Sequence, residues 1–289
     1  MDQKLSNLIL VPTDFSETCQ NAINHGAEIA AYLDYKLVIL HVFDKESKSI
    51  LKKEELSFTD LETQLSTLAK KAAETYNIRT DFLIKEGNIF DEIHKTAGDI
   101  GANLMVLGTH GKKGLQYIFG SHALKVVTKS PVPTVVVQKR GFGEGYKKIV
   151  FPINDFTEAR QQVRWAVHMA QRFGSKIYIF QQPSVESDLV LKIKIVTQQI
   201  EDAFNEMDIN FEIVKAEKPG NFAKQMISFA ASKHADMIMI MTDADVFSPD
   251  FRSGQWDETM MFNEAQIPVM CINPVITGQV FYNELGSGF

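Results

Sequence analysis

Two short stretches carry residue types suited to holding an anion and a sugar. The first is Pro12-Thr13-Asp14-Phe15-Ser16, directly after the apolar run Leu8–Val11. The second is GTHGKKGLQYIFGSHA, Gly108 to Ala123, directly after the run Asn103–Leu107. Gly108, Gly111, Gly114 and Gly120 let backbone N–H groups approach an anion. Ser121 opens a helix, whose free N–H groups and dipole favour negative charge, and it can cap that helix. His110, Lys112, Lys113, His122 and Lys125 add basic character. Asp14 can accept hydrogen bonds from ribose hydroxyls or an adenine amine, or help hold a metal ion. Each residue also has a plainer reading: Asp14 as a helix cap, the lysines as a solvated turn. At the ends of neighbouring strands, all of them together point to a nucleotide.

The elements that must place these stretches follow from periodicity. Leu8–Val11, Lys36–Phe43, Thr80–Ile84, Asn103–Leu107 and Thr134–Gln138 read as strands. Helical patterns cover Ser16–Leu33, Glu54–Tyr76, Phe90–Ile100 and His122–Lys129. In the longest, Leu61, Leu65, Leu68 and Ala72 recur on one face. Ala22, Gly26 and Ala30, four apart, let their helix lie close on a sheet. Alternation of near-continuous apolar strands with helices predicts a parallel sheet covered on both faces. In a doubly wound sheet of order 3-2-1-4-5, strands one and four adjoin where the order reverses, and ligands sit beyond their carboxyl ends.

The pattern then recurs. NLILVPTDFSE (Asn7–Glu17) is echoed by KKIVFPINDFTE (Lys147–Glu158), ANLMVLGT (Ala102–Thr109) by ADMIMIMT (Ala235–Thr242), and PVPTVVV (Pro131–Val137) by IPVMCIN (Ile267–Asn273). A repeat this long predicts two tandem Rossmann-like α/β domains, 1–140 and 146–274, followed by a tail, 275–289. The join RGFGEGY, with three glycines in seven residues, reads as an exposed flexible linker. The last strands of the two copies, rich in Val and Ile, are edges expected to pair about a pseudo-twofold axis.

A net charge of -6 and a pI of about 5.7 argue against a broad nucleic-acid-binding face. Cys19 and Cys271, the only two cysteines, read as buried thiols rather than a disulfide framework or zinc site. No apolar run is long enough for a membrane span or a signal-peptide core, so the expected location is the cytoplasm.

Residues 7–138 resemble the universal stress protein domain. The resemblance is carried by VPTDFSE, by LVILHV at Leu37–Val42, by the glycine loop with GS before a helix, and by PVPTVVV. It implies ATP, accompanied by Mg²⁺ or Mn²⁺. Pro12, Thr13 and Asp14 would contact the adenosine, and the Val42 backbone would pair the adenine. Gly108, Gly111, Gly120 and Ser121 would cradle the phosphates. Apart from the resemblance, His110 and His122 by residue type can serve as further phosphate contacts. The family's loop has nine residues between its second and third glycines; here there are eight, Lys112 to Phe119.

The second copy departs further. Met241 stands at the position of Gly108 and Ala244 at that of Gly111. Asp243, Asp245, Asp250, Asp257 and Glu258 make its loop acidic, read as a solvated turn, and the Asp14 equivalent is Asn154 or Asp155. This copy is expected to be degenerate and to pack on the first. Catalysis is not expected beyond a slow ATPase, because no GxxxxGK[ST], GxSxG or HExxH pattern is present. His41 reads as structural. The leading expectation is a stress-response protein that binds an adenine nucleotide and acts through conformation or partner choice. The alternatives are an interaction module without nucleotide and an adenine-nucleotide α-hydrolase-like enzyme. Nucleic acid and membrane are not expected partners; a homodimer is left open.

Overall fold

The computed structural model describes residues 7–109, 119–154, 159–218, 220–242 and 254–274. The first half runs β1 (Leu8–Pro12), α1 (Glu17–Leu33), β2 (Lys36–Phe43), α2 (Lys45–Lys53), α3 (Phe58–Tyr76), β3 (Thr80–Glu86), α4 (Ile89–Asp99), β4 (Leu104–Gly108), α5 (Phe119–Lys129) and β5 (Thr134–Val137). The second repeats it, without a counterpart of α2, as β6 (Lys148–Ile153), α6 (Ala159–Phe173), β7 (Lys176–Gln181), α7 (Ser187–Glu206), β8 (Phe211–Lys215), α8 (Phe222–Ser232), β9 (Met237–Met241), α9 (Gly254–Met261) and β10 (Val269–Ile272).

Successive side chains of each strand point to opposite faces, so an unbroken apolar strand feeds two cores. On one face Ile9, Val11, Leu37 and Ile39 pack with Ala22 and Ala30 of α1 and Leu65 of α3. On the other, Leu10, Leu40 and Met105 pack with Ile93 of α4 and Val126 of α5. The small-residue stripe of α1 does what its spacing predicts: a Cβ on Gly26 would lie 2.7 Å from Val11 Cγ2. Each half is parallel within itself, in the expected order 3-2-1-4-5.

Local capping sets the helix ends. Ser16 accepts from Cys19 N and starts α1, while Asp34 closes it in the left-handed region. The long helix begins at Phe58 rather than Glu54, because Ser57 and Asp60 form a reciprocal capping box. The left-handed Glu55 precedes that box. Upstream, Asp44 caps α2, a short helix the periodicity reading passed over.

The two halves form one ten-stranded sheet. β5 and β10 run antiparallel, with Val136 opposite Val269 and Val135 opposite Met270, so the expected pairing of these edges is present. The outer strands β3 and β8 carry charge instead. Lys36 pairs with Asp81 at 2.8 Å, and Lys176 pairs with Glu212 at 2.6 Å in the corresponding place. Such exposed pairs stabilise little, but charge on an edge discourages further strand addition.

The segment joining the halves is not the exposed linker its glycines suggest. Phe142 and Tyr146 are buried, against Phe173 and Tyr32. His25 Nε2–H donates to Arg140 O at 2.8 Å, and the Arg140 side chain donates to Ala235 O at 2.8 Å. Aromatic burial outweighs the conformational freedom of Gly141, Gly143 and Gly145.

Two predictions follow from the seam and this joint. Val136→Lys places an unpaired charge in the buried seam and should cost about 3 kcal/mol or more, read by urea denaturation. His25 is fully buried, and burial holds its pKa below the ordinary 6.5. The unfolded chain therefore takes up a proton at this residue before the folded protein does. The stability it supports is complete above pH 6.5 and declines as pH falls below it. His41 and His168, whose pKa values burial also lowers, add to the same trend. His25→Gln, which keeps a donor for Arg140 O, should lose less melting temperature between pH 7.5 and pH 5.5 than the parent.

Candidate functional site

The carboxyl ends of β1, β2 and β4 open into a cavity of about 490 Å³. Its walls come from the β1–α1 turn, from α2 and α3 on one side, and from α4 and α5 on the other. Pro12, Thr13, Asp14, Val42 and Gly108 all line it, so the fold gathers these five predicted residues in one place. Gly120, Ser121 and His122 fall in the first turns of α5, whose Ala123 and Val126 also line the cavity. The helix begins at Phe119, so Ser121 lies inside its first turn and is not the cap the sequence suggested. His110 and Gly111 lie outside the described residues.

The β1–α1 turn is held by its own side chains. Phe15 N donates to Thr13 Oγ1 at 3.1 Å, and Ser16 N donates to Asp14 Oδ1 at 2.9 Å. Phe15 is left-handed, with φ of 66°. A non-glycine residue held there indicates a turn fixed by its surroundings. Asp14 thus braces the turn ahead of α1 while its carboxylate faces the cavity. Beneath it lies Cys19, whose thiol burial pushes up to about 12, the Asp14 charge adding to the effect. That thiol is inert at neutral pH, as is the buried Cys271, so the expectation of two buried free thiols is met.

His41 binds the turn to α2. Its Nδ1–H donates to Thr13 O at 2.9 Å, which leaves Nε2 of the neutral ring to accept from Ser47 Oγ at 3.2 Å. Burial lowers its pKa and keeps the ring neutral. Ser47 Oγ also lies 3.0 Å from Asp44 Oδ1, and Val42 O accepts from Asp44 N at 3.1 Å. The sequence reading missed Ser47, Ile50, Leu51, Glu54 and Leu56 as cavity lining. The only signal for them was an Asp-x-x-Ser start before an apolar pair, Ile50-Leu51.

Gly108 has a packing role the sequence did not disclose. A Cβ there would lie 2.6 Å from Thr18 O and 3.1 Å from Cys19 N. Its bareness therefore lets the first turn of α1 close down on the end of β4.

The second half differs at each of these points. Met241 fills the position of Gly108. Phe180 stands where β2 has Leu40, and Phe222 where α4 begins with Ile89. Phe180 stacks on Phe222 at 5.5 Å, and Phe222 on Trp256 at 5.9 Å with rings 3° from parallel. This stack bridges the strand and both flanking helices across the positions that line the cavity in the first half. Asp257 is fully buried rather than part of a solvated acidic turn. Asn154 is half-buried, whereas Asp155, Asp243, Ala244, Asp245 and Asp250 lie outside the described residues.

Fold and site define a tandem α/β protein with a crevice at the first half's switch point and, among the described residues, an aromatic stack at the matched positions of the second. Residues 7–138 match the profile of the Universal stress protein family. The chain is 30% identical over 155 residues to the universal stress protein MJ0577 of Methanocaldococcus jannaschii, a match covering 46% of this chain and 94% of that protein. It is 31% identical over 145 residues to MJ0531 of the same organism, covering 47% of this chain and 85% of that protein. The chain belongs to the universal stress protein family. Across both halves it is similar to the crystal structure of a universal stress protein from Archaeoglobus fulgidus, with a TM-score of 0.72 and 15% identity, over 93% of this chain and 98% of that one. That likeness establishes the shared architecture. Among the described residues no helix is long and apolar enough to cross a membrane.

Gly108→Ala should destabilise the protein by about 1–3 kcal/mol in urea, because backbone rather than a flexible side chain must move. A gain in stability would mean that α1 is not held against β4 as described.

Proposed function

We propose that the first half binds an adenine nucleotide, ATP, and that the protein acts in a stress response through conformation or partner binding rather than turnover. The observation that carries this reading is the cavity itself. It lies at the reversal of strand order and collects Thr13, Asp14, Val42 and, from α5, Ala123 and Val126 around about 490 Å³. That size lies in the range of small-molecule sites. Asp14 and Thr13 supply acceptors for ribose hydroxyls, the apolar walls Leu40, Ile89 and Ile93 suit a flat base, and the α5 N-terminus suits phosphate.

Among the described residues no three His, Cys, Asp or Glu side chains cluster as a metal cage. A Mg²⁺ or Mn²⁺ ion would be carried by the nucleotide phosphates, with Asp14, Asp44 and Glu54 as the carboxylates lining the cavity. His41 has both ring nitrogens engaged, which disfavours it as a general base. The alternative is a nucleotide-free interaction module of the same fold; Val42 O accepts from Asp44 N at 3.1 Å, which leaves its second lone pair for an adenine amine.

Calorimetric titration with Mg-ATP distinguishes the two. The nucleotide reading expects micromolar binding at one site per chain, weakened at least tenfold by Asp14→Ala and abolished by Gly120→Trp, with both variants folded by their melting curves. Absence of heat and of any thermal shift in the parent protein would overturn it.

A further inference from the structure

The seam between the halves holds a pair of reciprocal side-chain bridges. Asn273, directly after β10, donates its amide to Val127 O and to Ser130 O, each at 2.8 Å. Gln138, directly after β5, donates to Asn263 O at 3.0 Å and Met261 O at 3.4 Å. Each amide reaches across the sheet and satisfies carbonyls at the C-terminal end of the other half's last helix. The final four carbonyls of a helix have no partner within it, so such donors fix where the helix ends.

The two bridges are alike in chemistry and unlike in what they hold. Gln138 holds α9, which carries the Trp256 of the aromatic stack. Asn273 holds α5, the helix whose first turn contains Gly120 and Ser121 and whose Ala123 and Val126 line the open cavity. The capped carbonyl, Val127 O, is one residue beyond the lining residue Val126. The Val126 carbonyl is itself taken by His94 Nε2–H at 2.9 Å. Consecutive carbonyls of α5 are thus held from α4 of the first half and from the second half. Asn273 is fixed in turn, because its Oδ1 accepts from Thr242 Oγ1 at the end of β9. At 1.5 Å rise per residue, the eleven-residue α5 is only about 16 Å long, so an anchor at one end sets the height of the other.

We propose that Asn273 is a positioning residue for the first half's ligand, and that the second half, which carries the Phe180–Phe222–Trp256 stack at the matched positions, serves to hold α5 at the site. The effect on ligand rests on the nucleotide reading; the effect on α5 does not. Mg-ATP affinity and amide hydrogen exchange are to be measured on the full chain for Asn273→Ala, Asn273→Gln and, as the matched control, Gln138→Ala. Asn273→Ala should raise the Kd for Mg-ATP about tenfold, equivalent to the loss of one hydrogen-bonded anchor. Asn273→Gln, which keeps an amide donor, should recover part of this, and Gln138→Ala should stay within about twofold of the parent. Without nucleotide, exchange should accelerate over residues 119–129 in Asn273→Ala, and over 254–261 in Gln138→Ala. Equal weakening by both alanine variants would show general loosening of the seam and overturn the proposal. So would an unchanged Kd in Asn273→Ala, or unchanged exchange over α5. If the parent protein does not bind Mg-ATP, the nucleotide reading fails by itself, and hydrogen exchange alone decides whether Asn273 positions α5.

Discussion

Antiparallel pairing of β5 with β10 is the constraint on which the remaining architecture depends. A five-stranded parallel sheet leaves one apolar edge strand with unsatisfied N–H and C=O groups. Here each half supplies the other's missing neighbour, and both edge strands become the centre of the sheet. Several other features follow from that junction. Gln138 and Asn273 meet the opposite helices because the strands run head to tail. The joining segment must return from the end of β5 to the start of β6, and it covers that route with Phe142 and Tyr146 rather than with solvated chain. The outer strands can be charged because they no longer need to pair.

Within this symmetric frame the two crevices have diverged by substitution at matched positions. Gly108 against Met241, Leu40 against Phe180 and Ile89 against Phe222 leave the strand order unchanged, while α2, which walls the first half's cavity, has no counterpart between β7 and β8. Each exchange trades open volume for buried apolar area, and stacked aromatic rings are among the most favourable ways to fill such a space. The second half therefore gains packing where the first keeps a cavity. The first half bears the corresponding costs in a left-handed Phe15 and a glycine at the point of closest helix approach.

The sheet and its repeat were legible because they rest on long-range regularities: unbroken apolar strands, four-residue spacing of small side chains, and a motif recurring after about 140 residues. The pairing of the strands at Thr134–Gln138 and Val269–Ile272, though not its register, could be anticipated because exposed edges rich in valine and isoleucine invite pairing. What escaped was decided by tertiary context. The segment from Arg140 to Tyr146 has a linker's composition, yet two aromatic rings find a core that only the assembled halves provide. α2 was passed over because nine residues with one apolar pair give little periodicity, and its role depends on the hydrogen bond between His41 and Ser47. Pro12, Thr13, Asp14, Val42 and Gly108, expected together from the sequence, line one cavity, but the physical reason for Gly108 was not legible, since the approach of the Thr18 carbonyl has no signature in sequence.

Carrying both partners of the seam on one polypeptide also changes what dilution can do. Two separate chains joined by four-residue strands would dissociate as their concentration fell, and each could exchange its partner for a different copy. A covalent tether fixes the effective concentration of one half around the other, so the seam persists at any dilution and admits no substitute. The joint between β5 and β6 therefore settles the pairing at synthesis: every molecule carries one copy of each half in constant ratio, whatever its abundance.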